Sequence, residues 1–191
     1  MKVEKGKKGY LNAQKKKYLL YTIVEFAIVI SVFVLGYMQT GSRLNLMTVV
    51  AVIGCLPASK MLVEFIVMAP HKSIEQCKYK EIEEKAPLIT KVYDLLVSGE
   101  DKLMKIDAVV ISGHTICGFT SSEKTDESLA AKYIKEMLAN NKCEKTTVKI
   151  FHDYKAFLTR AEGMNSIADV QQADNSRIER KIKKHLLSTC M

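Results

Sequence analysis

The sequence predicts an α/β protein in two parts: a hairpin of two transmembrane helices, then a small cytosolic domain on a three-stranded sheet, ordered α-β-β-α-β-α-α. Two observations predict this division. Residues 18–70 contain only four charged side chains, Glu25, Arg43, Lys60 and Glu64. Residues 71–191 instead alternate short apolar runs with amphipathic segments, as soluble α/β domains do.

Residues 1–17 form a basic tail with seven lysines and one glutamate. The formal net charge of the whole chain is +8, and this tail supplies +6 of it, whereas residues 71–191 carry only +2. Lysines beside an apolar run hold that end of a protein in the cytosol. The basicity therefore predicts membrane topology, and nucleic acid is not expected as a partner.

The hairpin is predicted from two apolar runs, residues 18–38 and 44–69. The first has 21 residues and as a helix spans about 30 Å, the thickness of a hydrocarbon core. The linker between the runs is too short to hold a domain, so the chain turns and returns. We therefore expect an integral membrane protein, in contact with the lipid bilayer, with both termini in the cytoplasm.

Charges inside the predicted spans are candidate functional groups. Glu25 lies eight residues beyond Lys17, about 12 Å below the cytosolic edge. The antiparallel hairpin places Lys60 in the same cytosolic half, where its long side chain can reach the interface. Glu25 and Lys60 are therefore predicted to form an intramembrane ion pair that joins the two helices.

A charged helical stalk is predicted over residues 71–86, and the cytosolic domain over 87–191. Pro87 is suited to the first turn of a helix, and apolar residues then follow at helical spacing until Gly99. These are Leu88, Ile89, Val92, Leu95 and Leu96. The domain is therefore expected to begin with a helix.

The three predicted strands are apolar runs over residues 104–112, 115–120 and 148–151. Gly113-His114 separates the first two, and a glycine in the first place of a two-residue connection favours a type II′ hairpin. Between the second and third strands lies a helix that ends at Asn140-Asn141 and is expected to be capped by Thr125 or a neighbouring serine.

Two more helices are predicted at the end of the chain. Asp153 is expected to cap a short helix that ends at Gly163, and a final helix starts at about Asp174. Ile178, Ile182 and Leu186 form an apolar stripe on the final helix, which either packs on the domain or lies along an anionic leaflet. Its candidate membrane-surface residues are Arg177, Arg180, Lys181, Lys183 and Lys184.

Residues 87–160 carry a resemblance. A helix, a strand reading KIDAVVIS, a tight glycine turn, a second strand, a long helix and a strand reading TVKIF resemble the nuclease-related domain of the restriction-endonuclease-like superfamily. The resemblance implies that Asp107 stands at the place of an acidic metal ligand. The second strand should then supply an acid and a lysine two residues apart, but residues 117–122 contain neither. Glu123 and Lys124 are adjacent, so an extended strand would point them to opposite faces.

The resemblance therefore implies a degenerate nuclease-related domain, a pseudoenzyme behind a two-span anchor. The other candidate side chains are His114, on the hairpin turn, and His152 and Asp153, at the end of a strand, where α/β folds often place active sites. An exposed turn histidine and a helix-capping aspartate are the simpler explanations of these residues, and we favour them over a catalytic role. No catalytic residue, resident metal or cofactor is predicted, and the five cysteines lack C-x-x-C spacing.

We expect a non-catalytic interaction or regulatory module anchored in a bacterial cytoplasmic membrane, with another membrane or cytosolic protein as partner. The alternative is a membrane-tethered, nuclease-like enzyme in which Asp107 binds a metal. The oligomeric state stays open.

Overall fold

The computed structural model describes residues 3–42, 45–99, 103–141, 143, 145–171 and 175–190. The chain divides into two compact units. One, the hairpin unit, comprises Leu11–Lys72. The other, the domain, combines residues 1–10 with Ser73–Met191, so both chain ends belong to it.

The hairpin unit contains helices α1 (Tyr10–Thr40) and α2 (Leu46–Met68). They are antiparallel, since Lys15 Nζ donates to the carbonyl of Ala69 at 2.8 Å near one end and Gly54 approaches Val29 near the middle. Both predicted apolar runs are therefore helical. Arg43 and the predicted start of the second run at residue 44 lie outside the described residues.

Both helices are long and apolar enough to span a membrane. Their large apolar side chains point outward: Leu20 is 58% exposed, Ile30 60% and Leu56 71%. The buried residues of α2 are Ala51, Ala58 and Met68. Such surfaces distinguish these helices from the core helices of a soluble protein, whose apolar faces are covered.

The domain is built on a four-stranded sheet, not the predicted three-stranded one. Its strands are β1 (Thr90–Ser98), β2 (Leu103–Ser112), β3 (Thr115–Phe119) and β4 (Thr147–Phe151), in the order β1-β2-β3-β4. β1, β2 and β3 pair antiparallel, and β4 runs parallel to β3. The predicted β2–β3 hairpin is confirmed, with Gly113 at φ +55°.

The prediction of a helix after Pro87 is wrong, because that segment forms β1. In a regular strand, residues three apart point to opposite faces. Val92 and Leu95 nevertheless join the same core, because Asp94, between them, has φ +56° and resets the alternation. The neighbouring strand β2 changes face opposite Asp94, since its residues Ile106 and Val109, also three apart, share that core. The reset makes the apolar spacing of a strand resemble that of a helix.

Four helices cover the sheet: α3 (Gln76–Lys85), α4 (Glu127–Asn140), α5 (Tyr154–Gln171) and α6 (Ser176–Thr189). The first core lies between the sheet and α4 and α6, and the second between the sheet and α3 and α5. The observed order in the domain is therefore α-β-β-β-α-β-α-α. The predicted start of the last helix at Asp174 lies outside the described residues.

Two local predictions change because of this packing. The segment assigned to a stalk contains α3, whose fully buried Ile82 belongs to the second core, so it is part of the domain. α5 continues through Gly163, the predicted stop. Ala161 and Met164 on either side are buried in the second core. Their burial outweighs the cost of about 1 kcal/mol for a glycine within a helix.

The N-terminal segment, residues 3–9, also packs on the domain. Tyr93 in β1 donates its backbone N–H to the carbonyl of Gly6 at 2.9 Å, and Lys5 Nζ donates to the carbonyl of Cys190. Gly6 has φ +83°, and a Cβ there would lie 2.7 Å from a methyl group of Leu187. The segment therefore partly covers the outer edge of β1, which would otherwise present unpaired backbone groups.

Candidate functional site

The most unusual residue of the domain is Asp94, at the middle of β1. Its side chain is 1% exposed, and it is the only non-glycine residue with positive φ among those described. Its Oδ2 accepts a hydrogen bond from the backbone N–H of Gly9 at 2.8 Å, and its Oδ1 accepts one from the N–H of Ile74 at 3.0 Å. Gly9 directly precedes α1, and Ile74 follows α2 by six residues.

One buried carboxylate thus binds the chain segment that leads into the hairpin unit and the segment that leads out of it. We call this group of residues 6–9, 73–74 and 93–94 the neck. A buried carboxylate is stable only when hydrogen bonds replace its lost hydration, and the two N–H groups provide them. Aspartate tolerates positive φ better than most residues, although the conformation still has a cost. Sequence analysis missed this group because it placed Asp94 in a helix.

Asp107 is the second buried carboxylate, and the structure gives it a different environment. It is 2% exposed, its Oδ1 lies 2.5 Å from Lys105 Nζ, and its Oδ2 accepts from the backbone N–H of Ser121 at 2.6 Å. Lys105 is also buried and donates to Ser121 Oγ at 3.3 Å. Both carboxylate oxygens therefore have partners within the protein. The group attaches the loop after β3 to β2.

A cleft of about 690 Å³ lies beside β4 and His152, bordered by the later part of this loop and the start of α4. His152 Nε2 lies 2.8 Å from the carbonyl oxygen of Thr125. Because a carbonyl only accepts, Nε2 carries the hydrogen. The backbone N–H of His152 donates to Glu127 Oε1 at 2.5 Å. His152 therefore connects the end of β4 to the start of α4.

The structure corrects the predicted cap of α4. Asp126, not Thr125 or a serine, is the capping residue: its Oδ1 accepts from the N–H groups of Ser128 at 2.8 Å and Leu129 at 3.2 Å. The hydrogen bond from the Ser128 hydroxyl and those from the two backbone groups lower the pKa of Asp126. Thr125 is buried instead. A carboxylate is the stronger acceptor for unpaired N–H groups at a helix start.

The four candidate side chains divide between two ends of the sheet. Asp153 caps α5 as predicted, with Oδ1 accepting from Lys155 N at 2.9 Å. Together with His152 it borders the end of β4, and Asp107 reaches the same loop region through Ser121. His114 lies at the opposite end, where its carbonyl accepts from Thr147 N at 2.9 Å. Among the described residues, no group of three or more His, Cys, Asp or Glu side chains could hold a metal ion.

The predicted intramembrane pair is not formed in the structure. Glu25 is partly buried and Lys60 is exposed, and among the described residues no ion pair within 4.0 Å joins them. The contacts between the two helices include Gly54 against Val29 and Gly36 against Met47.

The apolar stripe of α6 packs on the domain. Ile182 and Leu186 are fully buried in the first core, and Ile178 is partly buried against it. The basic side chains surround this stripe: Arg177, Arg180, Lys181 and Lys184 are exposed and Lys183 is partly buried. Of the two predicted positions of the apolar stripe, the structure shows the one in which it packs on the domain.

All five cysteines are free. Cys117 and Cys190 are buried, and burial raises the pKa of both thiols, that of Cys190 to about 12. Nearby Arg160 opposes this effect at Cys117. Thiols held protonated in a core are poor nucleophiles, so these two residues pack as small apolar groups.

The sequence matches no protein-family model, and no curated protein and no solved structure shows significant similarity to it.

Proposed function

We propose that this chain is a membrane-anchored, non-catalytic module that holds an interaction or regulatory domain at the cytosolic face of a bacterial cytoplasmic membrane. The observation that carries the proposal is the neck. Asp94 binds both segments that connect the domain to the hairpin unit. A hairpin attached at both ends restrains a domain more than a single flexible linker does, which raises its effective concentration for a membrane partner.

Membrane insertion is supported by the surface of the hairpin unit. Leu56 and Ile30 are among many large apolar side chains that water would face if the unit were soluble. Exposed apolar area on this scale is typical of lipid-facing helices. Lys15, Lys16 and Lys17 precede the first apolar run, which favours a cytosolic N-terminus.

The topology has support from the domain itself. Residues 3–9 pack against β1 and α6, which favours a position on the same side of the membrane as the rest of the domain. Only an even number of spans permits this arrangement, and a hairpin has two. With the lysine-rich start of the chain, this favours both termini in the cytoplasm.

The non-catalytic assignment rests on Asp107. A nuclease of the resembled type would need this carboxylate free to bind a metal, whereas here Lys105 and Ser121 occupy both oxygens. The partner that fits the proposal is another membrane or cytosolic protein that meets the domain at the bilayer. The enzyme alternative remains testable through the same residue.

Topology is tested by cysteine labelling in intact cells, in a variant whose five native cysteines are replaced by alanine. Single cysteines at Lys16 and Lys145, both exposed, should resist an impermeant thiol reagent until the cells are opened. A cysteine at Ser42 should react in intact cells. The reverse pattern would contradict the cytosolic assignment, and recovery of the chain in the soluble fraction would contradict the anchor.

The non-catalytic assignment is tested on the purified full chain in detergent. Mn²⁺ or Mg²⁺ should leave the Tm unchanged, because Asp107 already has partners. A rise in Tm with Mn²⁺ that disappears in Asp107→Asn would favour the nuclease-like alternative. Glu162→Gln, an exposed acid on α5, is the matched control.

A further inference from the structure

A second cavity, of about 680 Å³, lies within the domain beside the neck, between the N-terminal segment, α3, β1 and α6. Its wall has two aromatic side chains, Tyr79 and Tyr93. The charged residues around it are four lysines and two glutamates: Lys7, Lys8, Lys91, Lys183, Glu4 and Glu83. The cavity thus has two positive charges in excess.

Both carboxylates of the cavity are already paired. Glu83 Oε2 lies 2.8 Å from Lys91 Nζ, and its Oε1 accepts from the hydroxyl of Tyr93 at 2.8 Å. Glu4 Oε2 lies 2.7 Å from Lys7 Nζ, and the hydrogen bond from Lys7 lowers the pKa of Glu4. The excess charge therefore belongs to the other two lysines.

Of these two lysines, Lys8 has the more direct evidence for an unpaired ammonium group. Its Nζ is buried and makes no hydrogen bond in the described part of the protein, and it lies 4.8 Å from the ring centroid of Tyr79. A ring face replaces only part of the hydration that a buried ammonium loses. Lys183 is partly buried and takes part in no ion pair within 4.0 Å among the described residues. Lys8 thus borders the cavity without a hydrogen-bond acceptor among the described residues, and Lys183, whose charge also acts on Glu4, borders it without an ion pair within 4.0 Å there.

We propose that this cavity binds a phosphate group. A phosphate monoester carries a charge of about −1.5 to −2 near neutral pH, which balances the two unpaired lysines. Its oxygens accept the several hydrogen bonds that ammonium groups donate, and lysine is a common phosphate ligand. The phosphate belongs either to the headgroup of an anionic lipid or to a soluble phosphate compound.

The position along the chain makes both sources reasonable. Lys8 precedes Tyr18, the start of the first predicted span, by ten residues along the chain. The lipid source rests on the proposed membrane function, whereas the soluble source does not. The experiment therefore separates the two.

The full chain is reconstituted into nanodiscs of phosphatidylcholine, and its Tm is measured with inorganic phosphate and with sodium chloride at equal ionic strength. A second preparation contains phosphatidic acid in the same nanodiscs, without free phosphate. Binding to the folded chain should raise the Tm by at least about 3 °C at saturation. A rise in the first arm identifies a soluble ligand, and a rise only in the second identifies a lipid headgroup.

Three variants make the result specific. Lys8→Met should abolish the rise, while Lys8→Arg should retain most of it because the charge remains. Lys184→Met removes an exposed lysine from the same helix as Lys183 and should change nothing. Lys8→Met should not lower the Tm without ligand, since it removes a buried charge that lacks an acceptor.

No rise in either arm would overturn the proposal, as would a rise of equal size in Lys8→Met. A loss of Tm in Lys8→Met with an undiminished phosphate response would show that Lys8 only packs against Tyr79. If the topology experiment contradicts the membrane anchor, the measurement with inorganic phosphate still tests the cavity. The two proposals can therefore fail separately.

Discussion

The neck and the loop after β3 are each held by one buried aspartate, Asp94 and Asp107, and the two aspartates lie across from each other in the sheet. Tyr93 pairs with Ala108 and Leu95 with Ile106, which leaves Asp94 facing Asp107. Asp94 accepts hydrogen bonds from backbone groups 20 and 85 residues away. Asp107 pairs with Lys105 on its own strand and with Ser121. One carboxylate organises distant chain segments, whereas the other stabilises one strand and the next loop.

The largest effect is expected for Asp94→Ala. Two hydrogen bonds to a charged acceptor are lost, each worth about 1.5–3 kcal/mol, and alanine must adopt positive φ at a further cost of about 1 kcal/mol. The free energy of unfolding should fall by about 4–7 kcal/mol in urea titrations of the full chain. Asp94→Gly should lose about 1 kcal/mol less. Asp169→Ala, at an exposed position, is the control; equal stability of all three variants would refute the importance of the neck.

Asp107→Ala should have the second-largest effect. The free energy of unfolding should fall by about 3–5 kcal/mol, because the variant leaves the buried ammonium of Lys105 without its carboxylate. The double variant Lys105→Met/Asp107→Leu should recover most of that loss, since no charge then stays buried. Among the described residues no cation pairs with Asp94, so no such rescue is expected there. Failure of the double variant to exceed Asp107→Ala in urea unfolding would contradict the comparison.

Tyr93→Phe tests the contribution of a single hydrogen bond within the neck. At neutral pH it should cost about 1 kcal/mol, the value of one hydrogen bond, here to Glu83. Burial and the Glu83 carboxylate raise the pKa of Tyr93 in the folded state. A raised folded-state pKa means that this stabilisation is complete below about pH 10 and is lost as the pH rises beyond it. The Tm of the wild type should therefore fall more steeply above pH 10 than the Tm of Tyr93→Phe.

The smallest effect on stability is expected for Asp126→Ala, at the start of α4 beside the cleft. The pKa of Asp126 is lowered in the folded state, so its stabilisation is present above the unfolded value of about 4 and disappears as the pH falls through the folded value. The variant should be less stable than the wild type at pH 7, and the two should converge in acid. A constant difference in Tm between pH 7 and pH 2 would be inconsistent with a charge-dependent cap.

Short-range patterns in the sequence determined several parts of this protein. Two long apolar runs specified the helices of the hairpin unit, and Gly113-His114 between two apolar runs specified the β2–β3 hairpin. The faces of α4 and α6 followed from helical spacing. In each case neighbours within a few residues supply the decisive interaction, so the information is local.

The tertiary structure alone decided the neck, β1 and the state of Asp107. β1 resembles a helix in sequence because Asp94 interrupts its alternation, and that conformation is stabilised by the N–H groups of Gly9 and Ile74, which bind the carboxylate. Hydrogen bonds between residues so far apart in sequence leave no periodic signal. They form when burial makes an unpaired polar group costly, and which groups become buried is known only once the strands and helices have packed.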